Sequence, residues 1–306
     1  MKRIQTKKPQ QGSKIGGTPP TPPGLRRSLE RNRALDRLIS LALTLLVTAF
    51  CLLPLVWMVS TSLKPMGSEY LKPVELWPAE PTLQGYRAAL FELNFVRPLL
   101  NSVLVSLAVA LGCLLVSAPA AYAVARLRFR YKIQSLLLLQ LGAMIPPVVV
   151  IAPTFGLLRS LGLLGTLPAM ILPNIFYNVP LATWLLASYF AELPAELEDA
   201  AKVDGYRPLQ VFWKVTLPLA KPALFAAGMF AFIGSYGEFM LASVVTLGRQ
   251  EALTAPVAIQ NFAFAFRQQW TWISAGVVLA LIPVLLLALI FQRWVVKGLT
   301  AGAVKY

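Results

Sequence analysis

The groups able to do chemistry in this chain are few, and their types exclude more than they suggest. Thirteen Asp and Glu stand against 28 Lys and Arg in 306 residues, with two cysteines and no histidine. Without imidazole there is no histidine general base, no histidine metal ligand and no histidine pH switch. Cys51 and Cys113 each lie inside an apolar run and read as small buried hydrophobes, not as a disulfide scaffold or thiolate metal site. The sequence holds no G-x-x-x-x-G-K-[ST] phosphate loop, and no Ser-His-Asp or paired-carboxylate arrangement. No catalytic residue, cofactor or metal is therefore expected in this chain.

Two acidic groupings remain. The first lies in Leu193 to Leu219, LPAELEDAAKVDGYRPLQVFWKVTLPL, a long polar interruption between apolar spans. Pro194 suits a helix entrance. Glu196, Glu198 and Asp199 near the start of Ala195 to Val203, with Lys202 near its end, follow the sign a helix dipole favours. Asp204-Gly205 supplies a stop, and Arg207 to Trp213 can form a second short helix. Leu197, Ala200, Ala201, Val203, Leu209, Phe212 and Trp213 form its apolar part. Such a stretch is either a surface loop capped by two amphipathic turns or an element through which a partner delivers work.

The second is Glu238, the one acid deep within an apolar run, flanked by Tyr236 and Gly237. A charge at a membrane helix centre costs on the order of 2.5 kcal/mol or more, so this carboxylate should face the bundle or an aqueous path and find a partner. It reads as a pathway or gate residue, or as a carboxylate at the membrane interface. Asn101, Ser102, Ser106, Ser117, Gln140, Asn174, Tyr177, Asn178 and Thr183 are among the sparse polar groups of the spans. They suit a hydroxyl-rich solute but do not form the carboxylate ladder of a proton relay. In Asn261 to Trp270, Phe262, Phe264, Phe266 and Trp270 are expected outside the membrane, against headgroups, a protein partner or the solute.

The elements that position these groups follow from composition. The chain is 57% hydrophobic and 13% charged, where soluble domains carry roughly a quarter charged residues. An all-α polytopic membrane protein with six transmembrane helices is expected, with spans near 38–59, 99–124, 133–158, 167–189, 220–247 and 272–294. The net charge of +15 does not imply nucleic acid, because the basic residues cluster at span ends and in one tail. Residues 1–36 are basic and proline-rich and are expected to be a largely disordered tail; residues 37–306 form the membrane domain, ending in a tail at 295–306. With six spans, 21 of the 28 Lys and Arg fall on the side holding both termini and the 193–219 element, which makes that side cytoplasmic. Pro146, Pro147, Pro153, Pro168, Pro173 and Pro180 should kink or break spans three and four, and such breaks must face protein or water.

Several segments carry a resemblance. Asp199-Ala200-Ala201-Lys202-Val203-Asp204-Gly205, followed by Phe212, Val215 and Leu217-Pro218, is similar to the cytoplasmic E-A-A-x-x-D-G signature of the permease subunits of binding-protein-dependent ABC importers. Aspartate stands where the family has its first glutamate, and Glu198 offers an alternative partner for the same contact. Ser235-Tyr236-Gly237-Glu238-Phe239 resembles the family's S-W-N-E-F, and Lys297 to Lys305 is very like the tail of its carbohydrate-type members. The resemblance implies a type I ABC importer permease fold with cytoplasmic coupling helices between spans four and five. It implies partners as well: a second homologous permease, two ATPase subunits carrying the ATP and magnesium, and an extracytoplasmic solute-binding protein, in a bacterial or archaeal cytoplasmic membrane. Glu198, Asp199, Ala200, Ala201, Asp204, Gly205 and Phe212 would then couple to the ATPase. Glu238, Tyr236, Asn174 and Asn178 would line the pathway or gate, and the four aromatics would meet the binding protein. The competing reading is a self-contained secondary transporter or channel for small polar solutes.

Overall fold

A computed structural model describes residues 23–68, 76–265 and 269–300, and every regular element among them is helical. The chain divides into two units, up to Val56 and from Trp57. In the first lies most of α1, Pro23–Ser62. This helix begins well before the apolar span, so the basic segment from Pro23 onward is helical, while the expected disorder of residues 1–22 lies outside the described residues. Cys51, expected to be buried, is exposed on α1.

The second unit opens with a short α2, Gln84–Arg87, running into a π turn, Ala88–Glu92. Both fall where only a polar loop was expected. α3, Val96–Arg126, is the central helix, packed mainly on α6, Pro168–Glu192, and α10, Lys221–Tyr236. Its buried stripe of Ser102, Ser106, Val109, Cys113, Ser117 and Ala121 recurs at the helical period and is built of small side chains. Lipid tails are as apolar as leucine, so helices associate here by close packing, which small residues allow. Gly112 shows how close: a Cβ there would run into Ile175 of α6. The facing stripe of α10 is likewise small, with Ala223, Ala227 and Ala231.

The expected third span is broken. α4, Lys132–Ala143, and α5, Pro147–Ser160, meet at 90° across Met144 to Pro146. Pro146 takes an extended backbone, and Pro147, having no N–H to lose, opens the new helix. Span four was expected to be kinked or broken as well, and of these a break does not occur: α6 continues through Pro173 and Pro180 as one helix. Neighbouring helices can compensate a backbone donor lost within a membrane helix. Next to Pro180 the two helices are tied directly, Gln140 Nε2 of α4 donating to the Pro180 carbonyl at 3.2 Å.

After α6 come α7, Ala195–Val203, and α8, Pro208–Val211, which continues through a π turn at Phe212–Thr216 into α9, Leu217–Leu219. The chain then bends by 79° into α10. The expected fifth span stops at Tyr236 and resumes as α11, Met240–Val245, so it too is broken. α12, Ala255–Ala265, and α13, Trp270–Thr300, complete the fold. Among the described residues four helices are long and apolar enough to cross a membrane, and up to six candidates result if each bent pair is taken as one span.

Candidate functional site

The 193–219 element is shaped as its residues dictate. Pro194 precedes α7 with an extended backbone, and α7 ends at Asp204, after which Gly205 takes φ +85°. At that angle a Cβ would crowd the backbone, which is why glycine serves. Gln210 reaches back to the start of α8, where the Arg207 backbone N–H donates to Gln210 Oε1 at 2.9 Å. The residues singled out from the sequence divide by face. Glu198, Ala201 and Phe212 turn inward and are buried. Asp199, Ala200, Asp204 and Gly205 remain exposed.

The two adjacent acids have opposite environments. Asp199 is solvated and pairs with Lys202 one turn on, at 2.8 Å. That hydrogen bond, and then the charge behind it, hold the Asp199 carboxyl below its usual range. Glu198, 5% exposed, is enclosed by three elements. Its Oε1 lies 3.0 Å from Arg126 Nε at the end of α3 and accepts from Thr216 Oγ1 at 3.0 Å, while Oε2 accepts from the Tyr122 hydroxyl at 3.4 Å. Arg126 also donates to the Leu193 carbonyl. The Tyr122 ring packs on Phe190 and Phe212, with ring centroids 6.4 and 5.0 Å away. Arg126, Tyr122 and Thr216 were not assigned to this element from the sequence. The signal available was the cluster of acids after span four and the basic turn Arg126 to Lys132 after span two, both at span ends on the same side.

A second cluster gathers where the broken helices meet. A cavity of about 230 Å³ is lined by Pro147 and Ile151 of α5, Asn174, Tyr177 and Asn178 of α6, and Gly234, Glu238, Met240 and Leu241 around the α10–α11 break. The need for a break to face protein or water is met here at both interruptions. Glu238 finds its partners in the backbone: Oε1 accepts from the Leu241 N–H at 2.7 Å and Oε2 from the Ala242 N–H at 3.0 Å. The carboxylate thus satisfies the first-turn donors of α11 and places negative charge at the favourable end of a helix. Gly234 admits Asn178, since a Cβ there would stand 3.0 Å from Asn178 Oδ1. Asn174 and Asn178 donate to the carbonyls of Met170 and Asn174, at 2.9 and 2.8 Å. Tyr236, grouped with these residues from the sequence, does not line the cavity. Its hydroxyl donates to the Ala280 carbonyl of α13 at 2.8 Å.

The aromatic segment differs from expectation at Phe262. Most of Asn261 to Trp270 is helix, and Phe262 is not outside the fold: it is buried beside Ala89, Ala255 and Ala258, edge-on to Phe95 at 5.5 Å. A ring this large gains more from that pocket than from a solvated surface. Trp270 is exposed, whereas the Phe264 side chain and Phe266 lie outside the described residues.

The sequence and the fold are similar to those of known proteins. The chain is 40% identical to the trehalose transport system permease protein SugB of Mycobacterium tuberculosis over 85% of this chain and 94% of that protein. It is 32% identical to the trehalose/maltose transport system permease protein MalG of Thermococcus litoralis, over 90% and 99%. Its fold is similar to a chain of a bacterial ABC transporter involved in the import of the acidic polysaccharide alginate, with TM-score 0.71 and 23% identity, covering 86% of this chain and 97% of that one. A chain of the MetNI methionine ABC transporter in an inward-facing conformation aligns with TM-score 0.55 and 20% identity, covering 68% and 97%. Residues 111–301, from mid-α3 to the end of α13, match the family described as binding-protein-dependent transport system inner membrane component. With that match spanning the second half of α3, both helix breaks and the α7–α9 element, the chain belongs to this family and is a non-catalytic permease component of an ABC importer, part of its membrane translocation pathway.

Proposed function

We propose that this chain is one of two permease subunits of an ATP-driven carbohydrate importer. In this reading it crosses the cytoplasmic membrane six times with both termini inside. It supplies half of the pathway and passes closure of two partner ATPase subunits, which hold ATP and magnesium, to the bundle. An extracytoplasmic binding protein delivers the solute. The permeases for trehalose, trehalose/maltose and galactooligosaccharides among its relatives support the solute class. The single observation that carries the coupling role is the two-faced α7–α8 knuckle, clamped to α3 through Glu198 and exposing Asp199, Ala200, Asp204 and Gly205 on its other side. A self-contained transporter would need its own energy coupling, and among the described residues Glu238 is the acid at the helix breaks, with both oxygens committed to backbone amides.

Purification of the complex co-expressed with its neighbouring ATPase tests the docking. Asp199→Arg with Asp204→Arg is expected to cut ATPase recovery sharply while leaving the two permeases paired. Recovery at the normal yield would remove this face from the docking role. For the cavity, Glu238→Gln keeps one acceptor oxygen and loses the charge. A lost cap of this kind is worth about 1 kcal/mol. Trehalose uptake per complex in proteoliposomes is therefore expected to fall more than complex abundance does. Equal uptake per complex would show that Glu238 serves folding alone.

A further inference from the structure

Resting on the coupling role proposed above, the geometry points to Arg126 as a positioning residue: with Glu198 it locks the coupling helix α7 to the inner end of α3, so that the two move as one rigid body when the ATPase acts on α7. The adjacent acids of the element thereby divide their work. Asp199 faces outward, and Glu198 faces the bundle.

Four observations converge. The Arg126–Glu198 pair is short, at 3.0 Å, and shielded, with side chains 14% and 7% exposed. A charge pair removed from water is held only when its remaining lone pairs and protons are also satisfied, which fixes its geometry. On the carboxylate they are, since Thr216 and Tyr122 donate to Glu198; on the guanidinium, one arm donates to the Leu193 carbonyl, and Nε, buried and without a hydrogen bond, is held by the charge of Glu198 Oε1 at 3.0 Å. One carboxylate therefore joins α3, α7 and the π turn that leads to α10. One guanidinium joins α3, α7 and the last residue before Pro194. Second, Tyr122 is wedged against Phe190 and Phe212, so the hydrogen-bonded ring cannot swing with α7 alone. Third, the remainder of α7 offers little other grip. Of its nine residues only Glu198 and Ala201 are buried. Fourth, α3 is the helix on which both α6 and α10 pack, so motion given to its inner end reaches two of the helices that line the cavity. A planar, permanently charged fork suits such a joint, because it reaches a carboxylate and a carbonyl at once and cannot deprotonate.

The test is a distance measurement on the full complex in nanodiscs. Spin labels are placed at Glu196→Cys on the exposed first turn of α7 and at Arg128→Cys just beyond α3, with Cys51 replaced by serine. In the otherwise unchanged protein the pair is expected to give one narrow distance peak, unmoved by MgATP with orthovanadate. In Arg126→Gln the peak should broaden and shift on trapping with MgATP and orthovanadate, because α7 follows the ATPase while α3 lags. The charge exchange Arg126→Glu with Glu198→Arg should restore a narrower peak. A residue with a merely structural role would change stability but not confer nucleotide-dependent separation of the two helices. Should Arg126→Gln fail to assemble, Arg126→Lys, which keeps the charge and loses the fork, is measured the same way, with partial broadening expected. A narrow, nucleotide-independent peak in the assembled variant, or no restoration by the exchange, overturns the proposal. Failure of the unsubstituted permease pair to bring down an ATPase would instead overturn the coupling role itself, so the two failures are distinguishable.

Discussion

Glu198→Ala is expected to destabilise the end of the bundle where α3 meets α7 by about 3 kcal/mol, the low end of what breaking one side of a buried ion pair costs. The expectation follows from what is left behind. Arg126 keeps its charge in a site with little water, with only the Leu193 carbonyl to donate to, and Thr216 and Tyr122 lose their acceptor. Removing both charges should cost much less. Arg126→Met with Glu198→Leu fills the same space without an orphaned ion, and such replacements are often neutral. Denaturant unfolding of the purified permease pair, followed by tryptophan fluorescence, separates these outcomes. A single-substitution loss below about 1 kcal/mol would mean that the pair behaves as a solvated surface bridge.

Gly205→Val is expected to act in the opposite way, sparing stability of the bundle while disabling transport. No atom lies within 4 Å of where the new Cβ would be, so there is no steric clash with neighbours. The whole cost is the backbone: φ is +85°, and a β-branched residue held in such a region is strained by about 1–3 kcal/mol. Relief comes by changing the angle between α7 and α8, which alters the face offered to the ATPase. A cost of about 1.4 kcal/mol is already tenfold in the population of the correct shape. ATP-driven uptake should therefore fall by at least about tenfold, with the unfolding midpoint of the bundle unchanged. Gly205→Asn, which tolerates positive φ, should retain most of the uptake. Equal uptake in the valine variant, assayed in proteoliposomes with ATPase activity measured alongside, would remove this turn from the coupling path.

The opposite signatures of these two substitutions reflect the two faces of one short helix. Its solvent face is free to change angle at Gly205, whereas its inner face is tied into the bundle through a single carboxylate. Glu238 is a second carboxylate whose work is local, closing the break between α10 and α11 with two backbone hydrogen bonds. In both places an acid in an apolar setting is stabilised by fixed donors, the usual condition for keeping a charge there.

What the sequence determined by itself was everything carried by composition and local pattern. The apolar runs and the asymmetry of Lys and Arg set an all-helical, multi-pass class, since spanning segments must satisfy their backbone internally. Pro194, the Asp204-Gly205 stop and the acids at the start of α7 specified the bounds of α7 almost to the residue, because capping and positive φ are local properties. Pro146-Pro147 likewise marked the break in span three. Only the tertiary structure decided which of two neighbouring acids faces inward, because a one-residue step around a helix turns a side chain by roughly 100° and the partner, Arg126, lies at the end of a different span. It also decided that Pro173 and Pro180 leave α6 unbroken, that Phe262 is buried while Trp270 is exposed, and that Tyr236 faces α13 and not the cavity. Each of these depends on a neighbour distant in sequence, so spacing along the chain alone could not settle it.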